Sequence, residues 1–231
     1  MPLGPKRSVQ PWGTSMKISI VCSDPIHPIR PRLEQWARQR QASHEVSLVE
    51  KLSELSGGDI LFLISCHEIV RVSIRSAFKA ALVVHASDLP RGRGWSPHIW
   101  QILEGRSELS VTLLEAEDNV DSGAIWAQRT IRFDGHELYD EINAALFDAE
   151  ISLMNDAVDL WVDIQPRVQD GREASYYPRR HAEDGRLDPL RSIAEQFNLL
   201  RVADPVRYPA FFEFQGYRYE VQIKKHKKVG Q

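Results

Sequence analysis

Short apolar runs alternate with helical and turn signals along the first half of the chain. Lys17 to Cys22 is an apolar strand, and Pro25, Pro28 and Pro31 hold an irregular loop after it. From Arg32 to Gln41, Leu33, Trp36 and Ala37 fall on one face of a helix. Glu45 to Val49 alternates as a second strand, and Gly57-Gly58-Asp59 punctuates. Ile60 to Ile64 is continuously apolar, the mark of a strand buried on both faces. A short helix over residues 70–78 and a strand over 80–84 complete a βαβαβ succession, which predicts a Rossmann-like α/β sheet.

Further on, Ser96 reads as the cap of a helix over residues 97–103, with Pro97 at its first position. Residues 110–115 and 124–133 read as antiparallel partners, which makes the sheet mixed but mainly parallel. From Glu137 to Val162 the apolar positions, among them Leu138, Ile142, Leu146, Ala149, Leu153 and Ala157, fit one long helical face. That helix is read as core, with no chemistry assigned to it. Composition changes after Asp163. Asp188 is expected to cap a helix running from Pro189 to about Leu200, and residues 211–221 read as a β-hairpin about Gln215-Gly216. The expected division is a leader or tag over residues 1–15, a catalytic domain over 16–163, and an extension with a helix and hairpin over 164–231.

At 231 residues, with 42% hydrophobic and 26% charged, the chain suits one soluble α/β domain with a small appendage. A net charge of −3 gives no general pull toward nucleic acid or acidic membranes. The basic run from Lys224 to Lys228 reads as a solvated tail. No apolar run approaches the ~20 residues of a membrane span. Cys22 and Cys66 have no metal-ligand or redox spacing and read as small core residues, so a cytoplasmic setting is expected.

Chemistry concentrates where the strand over 80–84 ends. His85 closes it, and Ala86 to Pro97 then carries two prolines and two glycines, so the backbone turns hard and lies open to a ligand. Ligands of open α/β sheets collect beyond the carboxyl ends of strands. Asp121, in Asp121-Ser122-Gly123, is a carboxylate able to pair with that imidazole. Taken singly, each residue also has a structural reading: a satisfied histidine, and an Asx turn.

Taken together, His85-Ala-Ser-Asp-Leu-Pro-Arg-Gly-Arg-Gly94, Trp100 to Gly105, Val111-Thr112-Leu113 and Val120 to Gly123 resemble the signature of formyltransferases that use N10-formyltetrahydrofolate. The resemblance implies a Rossmann-like core with His85 and Asp121 in the catalytic positions. Folate would be held largely by main chain of Ile64, Ser65, Cys66, Arg93, Gly94 and Trp95 and of the 116–121 loop, represented by Glu117 and Val120. The chain departs from the pattern at Val83, where the family generally carries an asparagine that helps hold the formyl oxygen. An oxyanion donor is worth ~100–1000-fold in rate. His67 and Ser87 are the polar side chains that topology places nearest, so both are candidates for that role.

Tyr177-Pro-Arg-Arg180, Glu183 to Asp188, Glu195 to Arg201 and Tyr208 to Phe212 are similar to the tail of sugar N-formyltransferases. This implies a nucleotide-linked amino sugar as acceptor, commonly a dTDP- or UDP-4-amino-4,6-dideoxyhexose destined for surface polysaccharide. Tyr176 or Tyr177 would stack on a base or sugar, and Arg179 or Arg180 would meet the pyrophosphate. The alternative for the tyrosines is that they anchor the tail. Residues past Asp163 read as too few for the barrel of methionyl-tRNA formyltransferases. Formyl transfer to another amine, hydrolysis of the folate, and a folate- or nucleotide-binding protein without activity remain the other readings. Phe212, Phe214, Tyr217 and Tyr219 read either as a homodimer interface or as packing on the core.

Overall fold

The apolar runs become the strands of one twisted sheet. The computed structural model describes residues 15–228, so all but the last residue of the expected leader lies outside it. The first half runs β1 (Lys17–Val21), α1 (Arg30–Arg40), β2 (Glu45–Val49), β3 (Gly58–Leu63), α2 (Val72–Arg75) and β4 (Phe78–His85). There follow β5 (Arg93–Gly94), α3 (Pro97–Leu103), β6 (Glu108–Glu115), β7 (Ile125–Arg132) and α4 (Tyr139–Asp159). The last part holds β8 (Tyr176–Tyr177), α5 (Phe197–Val202), β9 (Ala210–Phe214) and β10 (Tyr217–Val221).

The six-stranded sheet has the order β2-β1-β3-β4-β6-β7. Its first four strands are parallel, while β6 and β7 run antiparallel. Alternation along each strand divides the core. Ile18, Ile20, Ile60, Phe62, Leu82, Val111 and Leu113 face α1 and α4 and meet Leu33, Trp36, Leu153 and Met154 there. Val21, Leu61, Leu63 and Ala81 face the other way, onto Val70 and Phe78. Each large side chain so buried contributes roughly 1.5–3 kcal/mol. Polar ties fix α1 to α4, with the Trp36 indole donating to Asn155 at 2.7 Å and Arg40 reaching both Asn155 and Asp159.

Past α4 the chain returns to the body. Arg167 exchanges backbone hydrogen bonds with Ile125, and β8 pairs in parallel with β5. Arg201 is buried, with Glu137 3.6 Å away and Asn198 as a second partner. The hairpin forms as its pattern predicts, with Gln215 and Gly216 both at positive φ, the hand that suits a two-residue turn. Phe212 and Tyr219 stack across it. In the basic tail, Lys225 is bonded to the carboxylate of Glu141.

Three local expectations change. The helix expected over 70–78 is the single turn of α2, because β4 already begins at Phe78. The helix expected from Pro189 starts only at Phe197. Asp188 accepts the Leu190 N–H at 2.9 Å, and the Gln196 side chain bonds both backbone groups of Asp188, so side chains close this segment as turns. Ser96 lies at φ 45° and makes no side-chain cap bond. Pro97, lacking an N–H, is what suits the start of α3.

Candidate active site

The carboxyl ends of β3 and β4 open into a cleft of about 860 Å³. His85, the last residue of β4, is buried in its wall. Its Nε2 lies 2.8 Å from the carbonyl oxygen of Gly92. A carbonyl can only accept, so in the neutral ring this nitrogen carries the hydrogen. Nδ1 is then the lone-pair nitrogen, and it stands 3.6 Å from Oδ2 of Asp121.

Asp121 reaches this position through strained backbone at φ 54°. Its Oδ2 also accepts the Gly94 N–H at 2.9 Å. The Gln169 amide donates to the carbonyls of Asp121 and Gly123, at 2.9 and 2.8 Å, while its oxygen accepts from Arg93 at 2.8 Å. Gln169 thus clamps the Asp121 turn. Nothing in its local sequence marks that role, which exists only once residues 164–175 fold back. Gly94, at φ 96°, lies so close to β8 that a Cβ would stand 2.4 Å from the Tyr177 carbonyl oxygen. The loop between β4 and α3 is pinned by Gln101, whose amide donates to Ala86 and Pro97.

Ile64, Ser65, Cys66 and His67 line the same cleft as His85 and Asp121, as do Gly94, Trp95, Glu117 and Val120. His67 is exposed, and its backbone N–H reaches Ser23 Oγ at 3.4 Å. Cys66 lies half-buried in the wall and Cys22 is buried, both as free thiols. Arg179 and Arg180 also line the cleft, each over an indole: Arg179 at 5.0 Å from the Trp95 centroid and Arg180 at 5.7 Å from Trp100. Arg180 Nε is buried without a partner.

Four expected site residues lie elsewhere. Ser87 is buried behind the cleft, packed against the Cα side of Gly92, and its Oγ has no partner. The Arg93 side chain turns away to Gln169 and Tyr176, so of residues 93–95 only Gly94 and Trp95 face the opening. Tyr176 is exposed and bonded to Arg93. Tyr177 stacks on Trp100, with ring centroids 6.1 Å apart, and donates to Glu104. Burial and that carboxylate push the Tyr177 phenol up to about 12. Both tyrosines lie off the cleft because β8 spends them on fastening the tail to β5 and α3.

Other lining residues were not legible as site residues. Val83 and Val84 supply apolar wall at the end of β4. His98, on the first turn of α3, is pushed down to about 4 by burial, assisted by His85, His27 and Arg180. His27, between β1 and α1, is likewise pushed down to about 4, by burial first and by Arg207 next. Asn143 and Glu150 face the cleft from α4. The available signal was a carboxyl set among Leu146, Ala149 and Leu153 on the apolar stripe of a long helix.

Residues 20–158 match the model of the formyl transferase family, which is more than half of the chain. The chain belongs to that family. It is a formyltransferase, and the family's formyl donor is N10-formyltetrahydrofolate. Among solved structures it is similar to methionyl-tRNA formyltransferase from Clostridium thermocellum, with TM-score 0.78 and 20% identity over 94% of this chain and 95% of that one. It is also similar to a sugar N-formyltransferase from a Shewanella species, with TM-score 0.70 and 12% identity over 92% and 99%. HypX from Aquifex aeolicus, solved with tetrahydrofolic acid, matches with TM-score 0.77 and 19% identity, over 91% of this chain but only 38% of that longer one. At these identities the likenesses establish the fold. Among the described residues no helix is long and apolar enough to cross a membrane.

Proposed function

We propose that this formyltransferase moves the formyl group of N10-formyltetrahydrofolate to the amine of a nucleotide-linked amino sugar. The observation that carries this reading is the cleft itself. One wall holds the His85–Asp121 pair, and its mouth carries Arg179 and Arg180 on the faces of Trp95 and Trp100. Guanidinium groups held on aromatic faces suit a diphosphate beside a stackable base.

The cleft also fits the donor. Leu63, Ile64, Val83 and Leu114 give an apolar floor for a flat heteroaromatic ring, and Ala116, Glu117, Asp118, Val120 and Asp121 border it. When bound, the donor supplies an activated formyl carbonyl. The remaining work belongs to this chain. Attack by the amine leaves a positive nitrogen and a negative oxygen, and the nitrogen must lose a proton. His85 Nδ1 holds a lone pair toward the cleft and Asp121, so it receives that proton and then shares it with Asp121 as a charge-assisted contact. The pair can return the proton to the departing folate nitrogen. Asp121 in this account orients the imidazole and offsets its charge.

With Val83 apolar and Ser87 enclosed, His98 is the candidate for stabilising the oxygen. A neutral imidazole keeps one N–H to donate without adding a full charge. Incubation with N10-formyltetrahydrofolate and a panel of dTDP- and UDP-linked 4-amino sugars, read by mass, tests the reading. One formylated sugar is expected. Formate release with every sugar unmodified would replace this function with hydrolysis.

A further inference from the structure

The long helix α4 carries a carboxyl, Glu150, that borders the cleft and has no partner among the described residues. Tyr139, Asn143, Phe147 and Glu150 follow at spacings of four, four and three residues, so one face of α4 borders the cleft. The neighbours of Glu150 on that helix, Leu146, Phe147, Leu153 and Met154, are core residues. Among the described residues Glu150 has no hydrogen bond and no ion pair. An unpartnered carboxyl on an apolar stripe is unfavourable as an anion, and a cationic ligand removes that cost.

Several other charges lining or flanking the cleft already have partners. Asp24 and Asp204 both hold Arg207, at 3.2 and 2.8 Å, and Tyr139 donates to Asp204 at 2.8 Å. Arg32, on α1, is bonded to Asp148. Arg180 sits over Trp100 and bonds the Asp184 carbonyl. The other titratable side chains lining the cleft include the imidazoles of His27, His67, His85, His98 and His181, the carboxyls of Glu68, Glu115, Glu117, Asp118 and Asp121, and the guanidinium of Arg179.

Formyl transfer to an amine removes two protons from nitrogen when the acceptor arrives as an ammonium ion. One leaves before attack, to free the lone pair, and the other leaves afterwards. The His85–Asp121 pair handles the second. We propose that Glu150 takes the first: R–NH3+ and the carboxylate become R–NH2 and the neutral acid, which leaves the amine free to attack. This rests on the amine acceptor argued above. Burial pushes Glu150 up to about 8, near the range of such amines, so the proton transfer is close to balanced. After product leaves, the acid returns its proton to water.

The test uses the full chain, N10-formyltetrahydrofolate and dTDP-4-amino-4,6-dideoxyglucose as probe, with the probe amine titrated separately. Wild-type kcat/KM is expected to rise with pH and level off near 8. Glu150→Gln is expected to fold normally, bind tetrahydrofolate as wild type does, and lose about 100-fold at pH 7. Its profile should follow only the pKa of the probe amine. A Glu150→Gln profile parallel to wild type, or unchanged activity, overturns the assignment. A measurement on wild type alone supplements it. Calorimetry at pH 7 in two buffers of different ionisation enthalpy should show about one proton released when the amino sugar binds, and none with dTDP-rhamnose. Equal release from both sugars also overturns it. A wild type that formylates no amino sugar overturns the acceptor reading, and this inference with it.

Discussion

Nδ1 of His85 faces Oδ2 of Asp121 at 3.6 Å, and the Gly92 carbonyl has already claimed the other ring nitrogen. With the ring neutral, two acceptors face each other, and in the proposed mechanism a proton from the amine completes the gap. Asp121→Asn tests this cleanly. Asparagine tolerates the φ of 54° and keeps an oxygen for the Gly94 N–H, but loses the charge. The expected result is a fall in kcat of about 100-fold or more with Tm nearly unchanged. Wild-type turnover in this variant would remove Asp121 from the mechanism.

Backbone proximity around the site makes a graded prediction about glycine. A Cβ on Gly123 would lie 1.9 Å from the Glu115 carbonyl oxygen, so Gly123→Ala forces the strand end apart. Gly105, with nothing within 4 Å, meets only the strain of φ 83°. Denaturant unfolding should show a loss above about 3 kcal/mol for Gly123→Ala and about 1 kcal/mol for Gly105→Ala. Similar losses would contradict the close approach.

Tyr177 and Arg179 should separate stability from acceptor affinity. Tyr177→Ala removes the Trp100 stack and the Glu104 bond, and is expected to cost roughly 1–3 kcal/mol while leaving the acceptor KM in place. Arg179→Ala should do the reverse, raising KM with little change in Tm. If Tyr177→Ala instead raises KM in a stable protein, the tyrosine reaches the acceptor after all.

Stability should peak near pH 6.5. His27 and His98 bind protons less readily folded (about 4) than at their ordinary 6.5, so their contribution is complete above 6.5 and drains away as pH falls toward 4. Glu150 has the opposite sign. Folded at about 8 against an ordinary 4.5, its contribution is complete below 4.5 and is lost as pH rises through 8. Between 4.5 and 6.5 the two imidazoles outweigh the one carboxyl; above 6.5 the carboxyl acts alone. Thermal melts of wild type and Glu150→Gln check this, since the variant should lose the decline above 6.5.

The sheet was legible because each strand carries its own apolar run. The extents of α1, β2 and α3 follow from patterns confined to a few neighbouring residues. The turn of residues 188–196 was not, because Gln196 reaches back eight residues to replace helix bonds. The same contrast holds in the cleft. His85 and Asp121 stand in a dense local motif. Gln169 acts across 48 residues, and Glu150, although set among apolar positions of its helix, is not placed at the cleft until the packing of that helix is known. Ser87 misled for the converse reason: it stands two residues past His85, beyond the end of β4, where the turn buries its hydroxyl against Gly92.

The central claim is that the formyl carbon leaves the folate for a sugar amine under the control of His85. Donor labelled with 13C at the formyl carbon makes that carbon visible by NMR throughout the reaction. With the amino-sugar panel, the label is expected to move into a formamide on one sugar in wild type and to stay on the folate in His85→Ala. Label collecting as free formate, or moving equally in His85→Ala, would contradict the account.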